Sequence, residues 1–192
     1  MTARGALVLA LALLAPGAAR AQTAPPLEAE RRLYVFEDAL SLDHQEHLVA
    51  TIAALESRSG RHFFVIVSRD PAIPLARVTA GEWKRRAADD PQAPWHPDSS
   101  VLLTATSGTD DAAIEMGAPL RDRLGLSPFT LRDQVVGPHF QGPAKRGELA
   151  AALEKLLEAV GRALSDAEQA FGRESVAGLD EGEKGPPVEG VS

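Results

Sequence analysis

Cysteine is absent from all 192 residues. That excludes thiolate metal sites, thiol nucleophiles and disulfides, so the fold has to be stabilised by an ordinary apolar core. Positive charge is in short supply: 20 basic residues face 27 acidic ones, for a formal net charge of -7. An acidic chain repels phosphate backbones, which argues against nucleic acid as a partner and is compatible with a divalent cation or a basic protein surface. Several local signatures are missing as well. No glycine-rich loop stands between a strand and a helix, which leaves a dinucleotide or P-loop enzyme without support, and Gly-x-Ser-x-Gly does not occur, which disfavours a serine hydrolase. His44 and His47 are three apart but lack the glutamate of a zinc protease and an evident third ligand, so they read as a solvated helix face. His139, after Gly137-Pro138, reads as a packed or surface histidine in preference to a catalytic base.

Long apolar runs are limited to one, at residues 6–14. With Arg4 ahead of it and Ala19-Arg20-Ala21 as a small-x-small cleavage site, it predicts an export signal over residues 1–21, cut before Gln22. It is shorter than the roughly 20 residues that span a bilayer, which disfavours a retained anchor. No second run follows, so the mature chain is expected in the periplasm or outside the cell with no transmembrane segment. Loss of Arg4 and Arg20 makes it more acidic still. Residues 22–32, with Pro25-Pro26 and no apolar periodicity, read as a linker. Residues 165–192 read as a polar tail, disordered where Gly, Pro and acidic residues dominate. Residues 33–164 remain for one domain, enough to bury a single core.

Within that domain the pattern alternates. Leu48, Val49, Ile52 and Leu55 fall at helical spacing after Ser41, and Ser59-Gly60 supplies the stop. His62-Phe63-Phe64-Val65-Ile66-Val67 is short, β-branched and aromatic, the pattern of a strand buried on both faces. Pro74 opens a second helix to about Arg86, with Leu75, Val78 and Trp83 facing inward. Val101 to Thr106 and Ala112 to Met116 are strands joined by Ser107-Gly108-Thr109-Asp110-Asp111, which is hairpin material and makes them antiparallel neighbours. Thr130 to Val136 is a short helix ended by Gly137-Pro138, and a final amphipathic helix over residues 146–164 carries Leu149, Leu153, Leu156, Leu157 and Val160 on one face. This order predicts an α/β fold, a three-layer α/β/α sandwich around a small, mostly parallel sheet with one hairpin.

The functional question concentrates in Val35-Phe36-Glu37-Asp38-Ala39-Leu40-Ser41. A short extended run reaches a carboxylate, Asp38, just where a long helix begins, and there it can cap the helix, hold a cation or assist a reaction. If Thr106 pairs near Ala112, then Leu102 lies near Met116, Asp98 and Gly117 share one end of the sheet, and Asp70, Asp110 and Asp111 share the other. Ligands in α/β folds bind outside the carboxyl ends of parallel strands. Clustered aspartates with carbonyls and water can ligate calcium, although adjacent aspartates in a turn are more often turn formers. Gly117 allows close backbone approach to a ligand, or serves a turn, the commoner cause.

Taken in order, these pieces resemble the TPM domain family, named from a thylakoid-lumen phosphatase, a photosystem II repair protein and a levamisole-receptor modulator. The resemblance spans residues 33–164. It rests on Phe36-Glu37-Asp38-Ala39-Leu40-Ser41, the strand from His62, Trp83-Lys84, the strand from Val101, Ile114-Glu115-Met116-Gly117, and Val136-Gly137-Pro138-His139-Phe140-Gln141-Gly142 before the last helix. It implies an exported or lumenal α/β/α sandwich. Some relatives have been described as acid phosphatases, some bind calcium, others serve in repair or assembly of membrane protein complexes, and most bacterial members have no assigned activity. Asp98-Ser99-Ser100 stands where the family has Asp-Asn-Gly, and Gly117-Ala118-Pro119 where it has Gly-x-Gly; proline there removes a backbone donor.

Three functions stay open on this reading. The first is an accessory or binding domain for an envelope protein or complex, with a structural divalent cation, Ca2+ by the resemblance. The second is a metal-assisted acid phosphatase in which Asp38, with Asp98 or the Asp110-Asp111 pair, holds the ion. In the third the carboxylates are only caps and surface charges.

Overall fold

The computed structural model describes residues 25–70, 75–107, 109 and 112–180, the last ten of these by backbone only. The expected leader, Pro74, Gly108, Asp110, Asp111 and everything from residue 181 lie outside that set. Strand β1 (Leu33–Val35) is followed by α1 (Leu42–Ser59), β2 (His62–Ser68), α2 (Leu75–Asp89), β3 (Ser100–Thr106) and β4 (Ala112–Glu115). The rest is helical: α3 (Ala118–Leu124), α4 (Pro128–Thr130), a π-helical segment (Leu131–Gln141), α5 (Gly142–Lys145) and α6 (Leu149–Asp180). The sheet runs β1-β2-β3-β4, parallel between the first three strands and antiparallel between β3 and β4.

Alternation along the strands divides the interior into two cores, because successive side chains leave a strand on opposite faces. Phe63, Val65 and Val67 of β2 and Val101, Leu103 and Ala105 of β3 join the larger core with α1, α3, the π segment and α6. Phe64, Ile66, Tyr34 and Leu102 point the other way, against Ala76, Ala80 and Trp83 of α2. The three layers are therefore unequal: several helices lie on one face, and α2 covers the other among the described residues. Since β1, β2 and β3 step in one direction across the sheet, two right-handed crossovers would put α1 and α2 on the same face. They lie on opposite faces, so one of these two connections is left-handed, against a rule that holds in about 98% of cases.

Most expected elements stand where the sequence puts them, and the differences have local causes. In α2, Val78 is 52% exposed, and the inward face is Leu75, Ala76, Thr79, Ala80 and Trp83. Small residues let this helix lie close on the aromatic face of the sheet, where Tyr34 and Trp83 meet edge to face at 4.7 Å. Val49 of α1 is likewise exposed, while Leu48, Ile52 and Leu55 are buried. The linker is packed down from Pro25, whose carbonyl accepts the Trp83 indole N–H at 3.2 Å, and the Glu28 N–H donates to the Tyr34 hydroxyl at 2.8 Å.

Gly137-Pro138 does not end the helix. The chain continues through it by widening to π geometry, whose hydrogen-bonded turns close five residues apart. Leu131, Val135, Val136 and Phe140 are buried on this segment, so its core face survives the proline. The final helix extends to Asp180, past the end expected near Leu164, and the Arg61–Glu168 ion pair at 3.0 Å fastens the turn beyond Leu164 to the body.

Glu56 joins three elements at the amino end of the sheet. Its Oε1 accepts from Arg32 Nε at 2.7 Å and from the Phe63 N–H at 2.8 Å, linking α1 to the starts of β1 and β2. Hydrogen bonds to a charged group contribute about 1.5–3 kcal/mol, and a buried N–H left without an acceptor costs a similar amount. Glu56→Ala should therefore destabilise the domain by about 2 kcal/mol in urea unfolding, with Glu56→Gln losing clearly less because an amide oxygen can still accept from Phe63.

Candidate functional site

The carboxyl ends of the parallel strands are the place in such a sheet where loops converge on a ligand. Register sets Val35 of β1 level with Val67 of β2, and Val67 level with Ala105 of β3. Beyond this line the chain leaves β1 through Phe36, whose N–H donates to the Val67 carbonyl at 2.8 Å, and a turn closes by Ala39 N–H to the Phe36 carbonyl at 3.1 Å. Inside that turn Glu37 and Asp38 both adopt the left-handed conformation, with φ of 57° and 50°. Held left-handed geometry in non-glycine residues costs about 1–3 kcal/mol each and persists only where surrounding contacts enforce it.

The enforcing contact is Glu37. Its Oε2 accepts the N–H groups of Arg69 and Asp70, at 3.1 and 2.8 Å, binding the exit of β1 to the exit of β2. Beneath this clasp the hydroxyls of Ser68 and Thr106, both buried, lie 3.3 Å apart on neighbouring strands. The Ser107 N–H donates to the Ser68 carbonyl at 2.9 Å, and the Thr109 hydroxyl to the Thr106 carbonyl at 3.0 Å. The floor is thus polar, closed and internally bonded, and its rim carries carboxylates. Nothing in the sequence reading singled out Glu37. Its signal was position: a glutamate one residue after a strand end reaches the amides of the adjacent parallel strand's exit loop.

Asp38 lies between β1 and α1, as expected, but without the capping role that was one of its three options. Helix α1 is capped by Ser41, whose Oγ accepts the His44 N–H at 3.4 Å and lies 2.9 Å from His44 Nδ1. Asp38 stands three residues before that cap, exposed, with no side-chain hydrogen bond or ion pair among the described residues.

The remaining candidates separate by strand end. Asp98 lies in the turn before β3, its N–H 3.4 Å from His96 Nδ1. Ser100 is level with His62, at the start of β2, whereas Asp38 follows the line through Val35, Val67 and Ala105. At a rise of about 3.3 Å per residue, roughly 15 Å of strand lies between the two ends. Asp38 and Asp98 are therefore not partners in one site. Asp70 is on Asp38's side of the sheet; Asp110 and Asp111, in the β3–β4 connection, are outside the described residues. Among the described residues, no group of three His, Cys, Asp or Glu is placed to hold a metal ion. They do not make a cation site by themselves.

Gly117 is explained by packing. Its φ is -65°, so no left-handed backbone is needed, but a Cβ there would come within 2.7–2.8 Å of Pro97. The Gly117 N–H donates to the Pro97 carbonyl at 2.7 Å, which holds the end of β4 against the loop before β3. The hairpin register is one residue from the expected one: Leu102 faces Glu115 and Ala105 faces Ala112. That shift turns Ala112 and Ile114 toward the larger core, since a slip of one residue exchanges the faces of a strand.

No family model matches this chain, and no curated protein matches it. Among solved structures it is similar to the N-terminal domain of a protein from P. gingivalis determined by solution NMR, at 20% identity, with 70% of this chain and 82% of that chain covered and a TM-score of 0.47.

Glu37→Ala should loosen the clasp without unfolding the domain: the Arg69 and Asp70 amides should exchange with solvent about fivefold faster, as expected for loss of about 1 kcal/mol at an exposed carboxylate. Gly117→Ala should cost about 1–3 kcal/mol in thermal or urea unfolding, the usual penalty for forcing atoms into a filled space.

Proposed function

We propose that this chain is an exported, TPM-like accessory domain that docks on an envelope protein or complex through the carboxyl end of its parallel strands, with a structural divalent cation there. The observation that carries the reading is the left-handed Glu37-Asp38 pair. Two consecutive residues are held left-handed, one carboxylate is consumed in fixing the turn, and the other is exposed with no partner among the described residues. Strain of this kind clusters at ligand sites and switch regions. Leu42, at the first position of α1, is 75% exposed beside the turn and offers an apolar contact to a protein surface.

The cation belongs to the reading only if Asp110 and Asp111 join Asp38. Calcium needs six to eight oxygens, which two or three carboxylates, backbone carbonyls and water can supply. Asp98, at the opposite end of the strands, is left out of the set. A metal-assisted acid phosphatase is the alternative, and it keeps only the Asp38, Asp110 and Asp111 ligands; no further observation favours it. Export to the periplasm or medium rests on the leader-like residues 1–21.

Calcium titrated into the purified mature protein should raise the melting temperature with rising concentration, since a ligand specific for the folded state stabilises it by about 2.7 kcal/mol at 100 times its dissociation constant. Asp38→Ala should abolish that rise and Asp98→Ala should leave it intact. Unchanged melting in every divalent cation removes the cation. Capture of a defined envelope partner that survives in wild type and fails in Asp38→Ala or Leu42→Ser supports docking; capture unchanged in both variants removes this surface. Hydrolysis of aryl phosphate that depends on Asp38 would move the assignment to the alternative.

A further inference from the structure

At the opposite end of the sheet, the last turns of α2, the loop before β3 and the junction of β4 with α3 border an open cavity of about 320 Å³. Ala87, Met116 and the ring of Trp95 give it an apolar lining, and Lys84, Glu115 and Arg121 stand around it. Lys84 and Glu115 form an ion pair and neutralise one another. Arg121 is half-buried, and its guanidinium has neither an ion pair nor a hydrogen bond among the described residues. Trp95 is only 5% exposed, and its Nε1 is buried with no hydrogen-bond acceptor among the described residues. The contrast with Trp83 is direct, since that indole donates to the Pro25 carbonyl. Buried polar groups are nearly always paired, and this unpaired donor belongs to a residue that lines the cavity.

We propose that this cavity binds a small organic monocarboxylate with an apolar body. The carboxylate meets the Arg121 guanidinium, and the Trp95 indole turns from its buried position to donate its N–H to one of the oxygens. The apolar body lies on Ala87 and Met116. Charge selects the class. With Lys84 neutralised, Arg121 leaves one net positive charge, which suits a monoanion, and the Glu115 carboxylate nearby disfavours a dianion such as phosphate. Guanidinium and carboxylate also match as planar, two-pronged partners. The volume is at the lower end of ligand pockets, which restricts the body to a small one. Neither the cation nor the protein partner proposed above enters this inference.

The test uses the 15N-labelled mature protein, whose two indole N–H signals report on Trp83 and Trp95 separately. Titration with 3-phenylpropionate to roughly 10 mM, a range that detects millimolar affinity, should shift the Trp95 signal saturably and leave the Trp83 signal in place. Arg121→Ala should weaken binding about tenfold or more, as for loss of a charge-assisted pair, with Trp83 unshifted to confirm the fold. Trp95→Phe, which keeps the ring and removes the donor, should weaken binding read at the Gly117 amide. An unmoved Trp95 signal overturns the proposal. So does an equal shift with the neutral amide of the same acid, an equal shift with inorganic phosphate, or undiminished binding in Arg121→Ala.

Discussion

Burial of β2 on both faces is the constraint from which the rest of this fold follows. Phe63, Val65 and Val67 require cover on one side, and Phe64 and Ile66 require it on the other, so the chain has to place helices above and below the sheet. Its backbone is bonded on both edges, to β1 and β3, in parallel pairings that need long crossovers. With the strands laid out in chain order, α1 and α2 can cover opposite faces only if one crossover takes the disfavoured hand. The fold accepts that in return for enclosing a strand that has no polar face to offer water.

The same arrangement separates the two ends of the sheet chemically. At the carboxyl end, side chains close the floor by bonding one another, as Glu37 does with the β2 exit and Ser68 with Thr106. At the amino end, Glu56 binds helix to strands, and the Gly117–Pro97 contact pins the hairpin to the preceding loop. Sites at these two ends share the central strands and have no side chain in common, so occupancy at one makes no direct contact with the other.

How much of this was legible beforehand depended on whether neighbours in sequence settled the matter. Strands β2 and β3 were plain because each is a short apolar run whose burial needs no knowledge of partners. The ends of α1 were plain because Ser41 and Gly60 carry capping chemistry in their own side chain and backbone. Val78 was misjudged because hydrophobicity alone points inward, whereas the face of α2 that meets Tyr34 and Phe64 carries Ala76, Thr79, Ala80 and Trp83. Gly137-Pro138 was misjudged because a local rule, that proline interrupts a helix, gave way to a buried face on Val135, Val136 and Phe140 that a wider helix preserves. The site was less legible still. Asp38 and Asp98 are both aspartates beside strands, and only chain direction in the sheet reveals that one follows its strand and the other precedes it. Glu37 was hidden because its partners, two backbone amides, have no side-chain signature.

Both tryptophans of the chain, Trp83 and Trp95, belong to the smaller core on the α2 side of the sheet, and none lies among α1, α6 and the π segment. Intrinsic fluorescence is consequently a one-sided probe of this molecule. Its emission follows the docking of α2 and the loop before β3, whereas circular dichroism at far-ultraviolet wavelengths is dominated by the helices of the other layer. If the two layers part at different denaturant concentrations, the optical transitions will not coincide. A stability read from tryptophan emission alone would then describe one half of the sandwich.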